Sequence, residues 1–335
     1  MRRVTVLGAG SWGTALAVHL GRIGHDVRLW ARDPSLASDI AQRRANAVYL
    51  PDISLPDSVS VTDAIAEALT DTELIVSAIP SHGCRAVMRT SAPYVSPRAT
   101  IVSATKGLES ESLLRMSEVI AEELGPGPAI VVLSGPSFAV EVAQQLPTAV
   151  LAASVDPRAI EMVQAEFRSA YFRLYGSADV VGVELVGALK NIIAIAAGVV
   201  EGLGLGHNAL AALITRGLAE ISRLAAAAGG RRETPSGLSG LGDLVLTCTG
   251  SLSRNRHVGI ELARGRHLNE ILASMKMIAE GVNTTTAALA LGARHGVELP
   301  IATQMAAVLE GRSDVRTAVE ALMLRPQRHE AETIG

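Results

Sequence analysis

Short apolar runs alternate with helix-period stretches through the first half of the chain. Residues 4–7, 26–30, 59–62, 74–79, 100–104, 129–133, 149–153 and 171–175 read as strands, most of them apolar on both faces. Helical spacing over 14–23, 34–46, 63–69, 82–92, 111–124 and 157–169 fills the intervals, and residues 49–51 fall in a loop. This rhythm predicts an α/β unit with a doubly wound, mostly parallel sheet. After about residue 177 the strands stop. Helical patterns follow over 180–200, 208–228, 256–264, 268–274, 282–295, 302–311 and 315–323. The expected organisation is two domains, 1–178 and an all-α domain over 179–335, and 335 residues suffice for two cores.

The stretch 180–200 is the most informative. Placed on a helix, Leu185, Leu189, Ile192, Ile193, Ile195 and Val199 gather on one side, and Gly187, Lys190, Asn191, Ala194, Ala197 and Gly198 on the other. Lys190 therefore lies in a trough of small residues, where a backbone or a ligand can come close. Glu184, Lys190 and Asn191 interrupt the run and argue against a membrane span. The chain has 30 Lys+Arg, and only Lys106, Lys190 and Lys276 are lysines, which leaves 27 arginines. An amine can lose its proton when desolvated, whereas guanidinium effectively cannot. Lys190 is thus a candidate acid/base; the alternative is a core helix whose lysine snorkels to water.

Composition narrows the class. The net charge of -3 gives no basic excess for nucleic acid or an anionic membrane. Cys84 and Cys248 are too few for a disulfide framework, and no signal-peptide pattern opens the chain, so the cytoplasm is the expected location. The eight histidines show no ligand spacing, so no metal site is expected.

Gly8-Ala9-Gly10-Ser11-Trp12-Gly13 stands between the first strand and the first helix. A G-x-G-x-x-G loop in that context suits a pyrophosphate at the helix N-terminus, and makes the first domain Rossmann-type. The second strand ends in Ala31-Arg32 where NAD-specific folds carry an acid. Arg32 can accept a 2′-phosphate, while Asp33 one residue later leaves the choice open. Lys106 follows another strand and points into the crevice outside the strand ends; Ser134-Gly135-Pro136-Ser137 offers backbone N–H groups to an anion, or is an ordinary turn with an N-cap. In the helical half, Asp243 and Thr247 share a helix face. Ser253-Arg254-Asn255 is a dense donor cluster for an oxyanion, or a solvated helix entry, and Ile278-Ala279-Glu280-Gly281 is another polar turn.

Over nearly its whole length the chain resembles the bacterial NAD(P)-dependent glycerol-3-phosphate dehydrogenases. The carrying stretches are G-A-G-S-W-G-T-A-L-A, A-T-K-G-L-E, S-G-P-S-F-A, G-A-L-K-N-I-I-A-I-A-A-G, A-L-I-T-R-G-L-A-E, G-L-G-D-L-V-L-T-C-T-G and S-R-N. The resemblance implies a Rossmann domain followed by a helical substrate domain, a homodimer, NADPH or NADH as cofactor, and interconversion of dihydroxyacetone phosphate and sn-glycerol 3-phosphate for phospholipid synthesis. Motif by motif, it puts the acid/base on Lys190. It puts further substrate contacts on Lys106, Gly135, Ser137, Asp243, Ser253, Arg254 and Asn255. Its cofactor contacts fall on Ser11, Trp12, Arg32, Tyr49, Lys106, Ala139, Arg254, Ile278 and Glu280. One stretch departs: Gly206-His207-Asn208-Ala209-Leu210 stands where many members have Asp-Asn-Ala-Lys. Two rivals compete with this reading, a ketopantoate-type reductase of the same architecture and a dinucleotide sensor without turnover. The first accounts less well for Ser253-Arg254-Asn255 beside Asp243, and the second leaves Lys190 without a purpose.

Overall fold

The computed structural model describes residues 2–275, 279–327 and 329–330. Ten strands form: β1 Arg3–Leu7, β2 Asp26–Trp30, β3 Ala45–Asn46, β4 Leu50–Ser54, β5 Val59–Thr62, β6 Leu74–Ser77, β7 Thr100–Ser103, β8 Ala129–Ser134, β9 Thr148–Ala153 and β10 Phe172–Ser177. Eight of them make one sheet in the order β10-β9-β8-β7-β6-β1-β2-β5. All neighbours are parallel except β8 and β9. The order reverses beside β1, which pairs with β2 on one side and β6 on the other. Helices cover both faces, so central strands such as β6 and β7 are buried throughout, with apolar Leu74-Ile75-Val76 and Ile101-Val102 beside the buried polar residues Ser77, Thr100 and Ser103.

Three elements differ from the sequence expectation. Residues 45–54 form a small antiparallel hairpin of β3 and β4 instead of a helix end and a loop. β3 has only two residues, and in β4 the apolar Leu50 and Ile53 fall three apart around Pro51 and Asp52, which is no strand alternation. The hairpin is tied to the glycine loop by Asn46, whose Nδ2 donates to Ala9 O (2.9 Å) and to Thr14 Oγ1 (2.8 Å). The preceding helix, Pro34–Arg43, stops early because Arg44 turns left-handed at φ 54°. Its guanidinium donates to the carbonyls of Val59, Leu55 and Pro56, which hold it there. The helix expected from residue 111 begins only at Met116; Leu113 is left-handed, and Glu118 closes a capping box on Arg115 N (2.9 Å).

After β10 the chain is helical. The helices lie within a residue or two of the expected bounds: Val180–Gly202, Gly206–Ala227, Arg254–Ala263, Leu268–Ser274, Glu280–Arg294, Pro300–Leu309 and Val315–Met323. A further short helix, Asp243–Thr249, opens on Asp243. Val180–Gly202 is long and apolar enough to cross a membrane, yet its neighbours bury it inside the domain. Its small-residue side is where helix Arg254–Ala263 crosses: a Cβ on Gly198 would fall 1.9 Å from Arg256 O. Polar contacts fix this helix to the sheet domain. Glu184 accepts from Ser117 N (2.8 Å), Ser117 Oγ (2.5 Å) and Arg115 Nη1 (2.6 Å).

Glu220 is a buried carboxylate packed near this helix. It is 3% exposed and accepts from Ile301 N (2.9 Å) and Ala302 N (3.0 Å), at the start of helix Pro300–Leu309. Burial pushes its pKa up to about 6, against the pull of those two N–H groups. The folded state therefore binds this proton more tightly than the unfolded chain does. The associated stability is full below about 4.5 and is lost as pH rises through about 6. Relative to Glu220→Gln, the natural protein should lose roughly 2 kcal/mol between about pH 4.5 and pH 7. Urea titrations of both proteins across that window check this; a constant difference between them would mean the carboxyl titrates normally.

Candidate active site

The glycine loop is built for close approach. Gly8 sits at φ 108°, and a Cβ there would fall 2.8 Å from Ala78 O. A Cβ on Gly13 would fall 1.8 Å from Gly8 O, so only glycine lets helix Ser11–Arg22 start this near the strand end. A Cβ on Gly10 would meet nothing within 4 Å, and no side chain caps the helix. The N-terminal end thus keeps open space and a positive dipole for a pyrophosphate. Ser11 Oγ donates to Tyr49 O (2.6 Å), fastening the hairpin beside the loop. Trp12 packs with Leu50, Ala15 and Ala143, and Ala139 joins the same cluster. Ser11, Trp12, Tyr49 and Ala139 are therefore brought together around the loop. Arg32 is exposed at the end of β2 and bonds to no other described residue. Asp33 is turned away as the N-cap of helix Pro34–Arg43, accepting from Ser35 N (2.9 Å) and Ser35 Oγ (2.7 Å).

The centre of the site is a carboxylate between two ammoniums. Asp243 Oδ1 accepts from Lys190 Nζ (2.6 Å), and Asp243 Oδ2 from Lys106 Nζ (2.6 Å). Thr247 Oγ1 accepts from Lys190 Nζ (2.6 Å) while donating to Asp243 O (2.6 Å). Lys106 also donates to Gly135 O (3.0 Å), a carbonyl that Ser137 Oγ shares (3.0 Å). Each ammonium has three N–H groups and gives two of them to protein, which leaves one from each for a ligand. Lys190 is buried; the Lys106 side chain keeps 21% of its surface open to the cleft. Burial lowers the Lys190 pKa to about 8, with Asp243 opposing the shift and Lys106 adding to it. Burial also drives the Asp243 carboxyl up, but the two ammoniums outweigh it and hold it below its usual value. The group is a proton donor poised near neutrality beside an electropositive opening.

The polar turns of the helical domain meet at the rim. Ser253 caps helix Arg254–Ala263, accepting from Arg256 N (3.2 Å). Asn255 Nδ2 donates to Asn191 Oδ1 (2.9 Å), and its Oδ1 accepts from Gly281 N (3.0 Å). Arg254, between them, makes no hydrogen bond or ion pair with a described residue. Arg254 is solvent-exposed on the rim, yet the protein around its guanidinium lowers its pKa, with the charge of Glu280 partly opposing this. Glu280 crosses to the sheet domain and accepts from Ser81 N (3.2 Å) and Ser81 Oγ (2.5 Å). Ile278 lies outside the described residues. The departing stretch at 206–208 is exposed, at the first turn of helix Gly206–Ala227. Sequence reasoning did not single out Ser81, nor the pairing of Asn191 with Asn255. Asn191 was visible beside Lys190 in the trough, but its partner is 64 residues away.

An open α/β sheet with a glycine-loop helix, closed by a helical domain that carries a buried lysine, defines a two-domain NAD(P)-dependent oxidoreductase. Residues 3–160 match the NAD-dependent glycerol-3-phosphate dehydrogenase N-terminus, and residues 179–320 the C-terminus of the same family. The chain belongs to the NAD-dependent glycerol-3-phosphate dehydrogenase family. It is 53% identical to a glycerol-3-phosphate dehydrogenase (NAD(P)+) of Koribacter versatilis, over 98% of this chain and 99% of that one. With one of Acidobacterium capsulatum the identity is 52%, over 98% and 100%. The crystal structure of glycerol-3-phosphate dehydrogenase from Coxiella burnetii is similar with a TM-score of 0.93 at 40% identity, covering 97% and 99% of the two chains. A ketopantoate reductase of Ralstonia eutropha shares the fold alone, with a TM-score of 0.61 at 15% identity.

The glycine geometry generates a direct test. In Gly13→Ala the new methyl must push the helix off the strand end. Affinity for NADPH should fall by at least about tenfold in a fluorescence titration, with the far-ultraviolet circular dichroism retained. Unchanged affinity would show that this turn does not carry the pyrophosphate.

Proposed function

We propose that Lys190 is the acid/base in the interconversion of dihydroxyacetone phosphate and sn-glycerol 3-phosphate, within a helical substrate domain over 179–335 and opposite a dinucleotide domain over 1–178. The observation that carries this reading is the Lys190–Asp243–Lys106 cluster. Bound NAD(P)H supplies the hydride to the carbonyl carbon. As charge develops on the carbonyl oxygen, the free N–H of Lys190 lies against it, stabilises it and donates the proton. Asp243 and Thr247 fix the direction of that N–H. Lys106 and the turn of Gly135 and Ser137 take the substrate's polar groups at the cleft side. Ser253, Arg254 and Asn255 receive the phosphate: among the described residues the Arg254 side chain has no hydrogen-bond or ion-pair partner, Ser253 still has its hydroxyl proton to give, and Asn255 still has one N–H. Holding the phosphate remote from the reacting carbon fixes the carbonyl for attack. Ser11, Trp12, Arg32, Tyr49, Lys106, Ala139, Arg254, Ile278 and Glu280 hold the cofactor. The same resemblance supports a cytoplasmic homodimer without membrane insertion and without a nucleic-acid partner; light scattering on the purified protein tests the dimer.

Reduction needs the Lys190 ammonium, so its rate should fall as pH rises through about 8, and the oxidation rate should rise through the same window. Lys190→Ala should fold and lose roughly 10²–10⁴ in kcat, and Lys190→Arg should restore little because guanidinium keeps its proton. Steady-state assays of NADPH oxidation with dihydroxyacetone phosphate read all of this. Near-normal turnover in either variant would remove Lys190 from the role, and turnover with ketopantoate instead would support the rival reductase.

Cofactor choice rests on Arg32. With Asp33 engaged as a helix cap, the exposed guanidinium of Arg32 is the charge left beside it to meet a 2′ substituent. NADPH should therefore be used at least as well as NADH. Arg32→Ala should raise KM for NADPH by roughly tenfold while leaving NADH almost unchanged. Equal effects on the two cofactors would show that Arg32 does not read the 2′-phosphate.

A further inference from the structure

We infer that Ser81 is a positioning residue that keeps Arg254 available to substrate by holding Glu280 away from it. The inference rests on the proposed role of Arg254. Ser81 is buried at the start of helix Ser81–Ser91 in the sheet domain. Its backbone N–H and its hydroxyl both donate to Glu280, one to each carboxylate oxygen, at 3.2 and 2.5 Å. The turn after Lys106 is packed against this pair: a Cβ on Gly107 would fall 2.7 Å from Ser81 Cβ and 3.5 Å from Glu280 Oε2. Behind Glu280, the next backbone N–H belongs to Gly281 and is held by Asn255 (3.0 Å), the residue after Arg254. Glu280 and Arg254 therefore stand on two segments that are tied together, and the charge of Glu280 acts on the Arg254 guanidinium.

A carboxylate and a guanidinium so placed favour a forked ion pair. Such a pair would cancel the charge that a phosphate needs. Among the described residues it is not made: the carboxylate is turned to Ser81 instead, with one oxygen on its backbone N–H and the other on its hydroxyl. Without the hydroxyl, Oε2 loses its described partner, and the Arg254 guanidinium is a cation that already feels its charge. Ser81 thus acts through Glu280 and touches no substrate itself.

The experiment is a mutant cycle on the full-length protein, with steady-state kinetics for dihydroxyacetone phosphate at saturating NADPH. Ser81→Ala should raise KM for dihydroxyacetone phosphate by roughly tenfold, with a smaller effect on kcat. In a Glu280→Gln background, where no ion pair with Arg254 can form, the same Ser81→Ala change should leave KM where Glu280→Gln put it. An equal effect in both backgrounds, or none in the natural one, overturns the inference. Arg254→Ala is measured alongside. If it leaves KM unchanged, the phosphate reading itself fails and the role of Ser81 fails with it. If it raises KM while the cycle shows no coupling, only the role of Ser81 is lost.

Discussion

Two ammoniums and one carboxylate share a site that water barely reaches. Removing any of these charges from water costs several kcal/mol, and only close, well-aligned pairing offsets it. Lys106 comes from the end of a sheet strand, Lys190 from the buried helix, and Asp243 from the first turn of a third element. Their pairing therefore fixes where the helical domain sits on the sheet. The cluster carries a net positive charge that protein groups do not neutralise. That surplus favours an anionic ligand and an oxygen gaining negative charge. It also explains why lysine persists here in a chain that otherwise uses arginine. A guanidinium would hold its proton, whereas burial brings the Lys190 amine down to about 8, within reach of proton transfer.

Contacts run from this cluster around the cleft and return to it. Asn191 follows Lys190 and binds Asn255, Asn255 holds Gly281, Glu280 binds Ser81, and Ser81 packs on the turn of Gly107 beside Lys106. Most links are hydrogen bonds between domains or between distant helices. Hydrogen bonds fix direction as well as distance, which apolar packing does not. The apolar core of the helical domain brings these segments near one another, and the polar circuit sets their register. Glu184 with Arg115 and Ser117 serves similarly elsewhere on helix Val180–Gly202, where burial raises the carboxyl and the arginine only partly opposes it.

Local pattern determined much of this protein. Apolar runs specified the buried parallel strands, because a strand covered on both faces has little use for the polar alternation of a half-exposed one. The glycine loop announced itself, because close backbone approach at a helix N-terminus demands glycine at those positions. The trough of small residues around Lys190 marked a close approach, and the S-R-N and G-L-G-D stretches marked polar turns. The hairpin of β3 and β4 was not legible, since β3 has two residues, β4 lacks strand alternation, and Asn46 ties it to the glycine loop from a distance. The late start of helix Met116–Leu124 was hidden likewise, because a capping box and a left-handed Leu113 override the helical spacing before it.

Tertiary structure alone decided the partnerships. The sequence put Asp243 and Thr247 on one helix face but could not say that Asp243 divides its oxygens between two lysines, 137 and 53 residues away. It offered Arg32 and Asp33 as competing readers of the ribose, and the fold settled Asp33 as a helix cap. It presented Ser253-Arg254-Asn255 as three equivalent donors; in the fold Ser253 caps, Asn255 braces, and Arg254 is left unbonded among the described residues. Ser81 carried no signal at all, because a serine after a proline at a strand end is common and its partner lies 199 residues on. Periodicity and steric need are properties of neighbours along the chain, so sequence states them. Which charge meets which depends on how two domains close, and that only the packed structure determines.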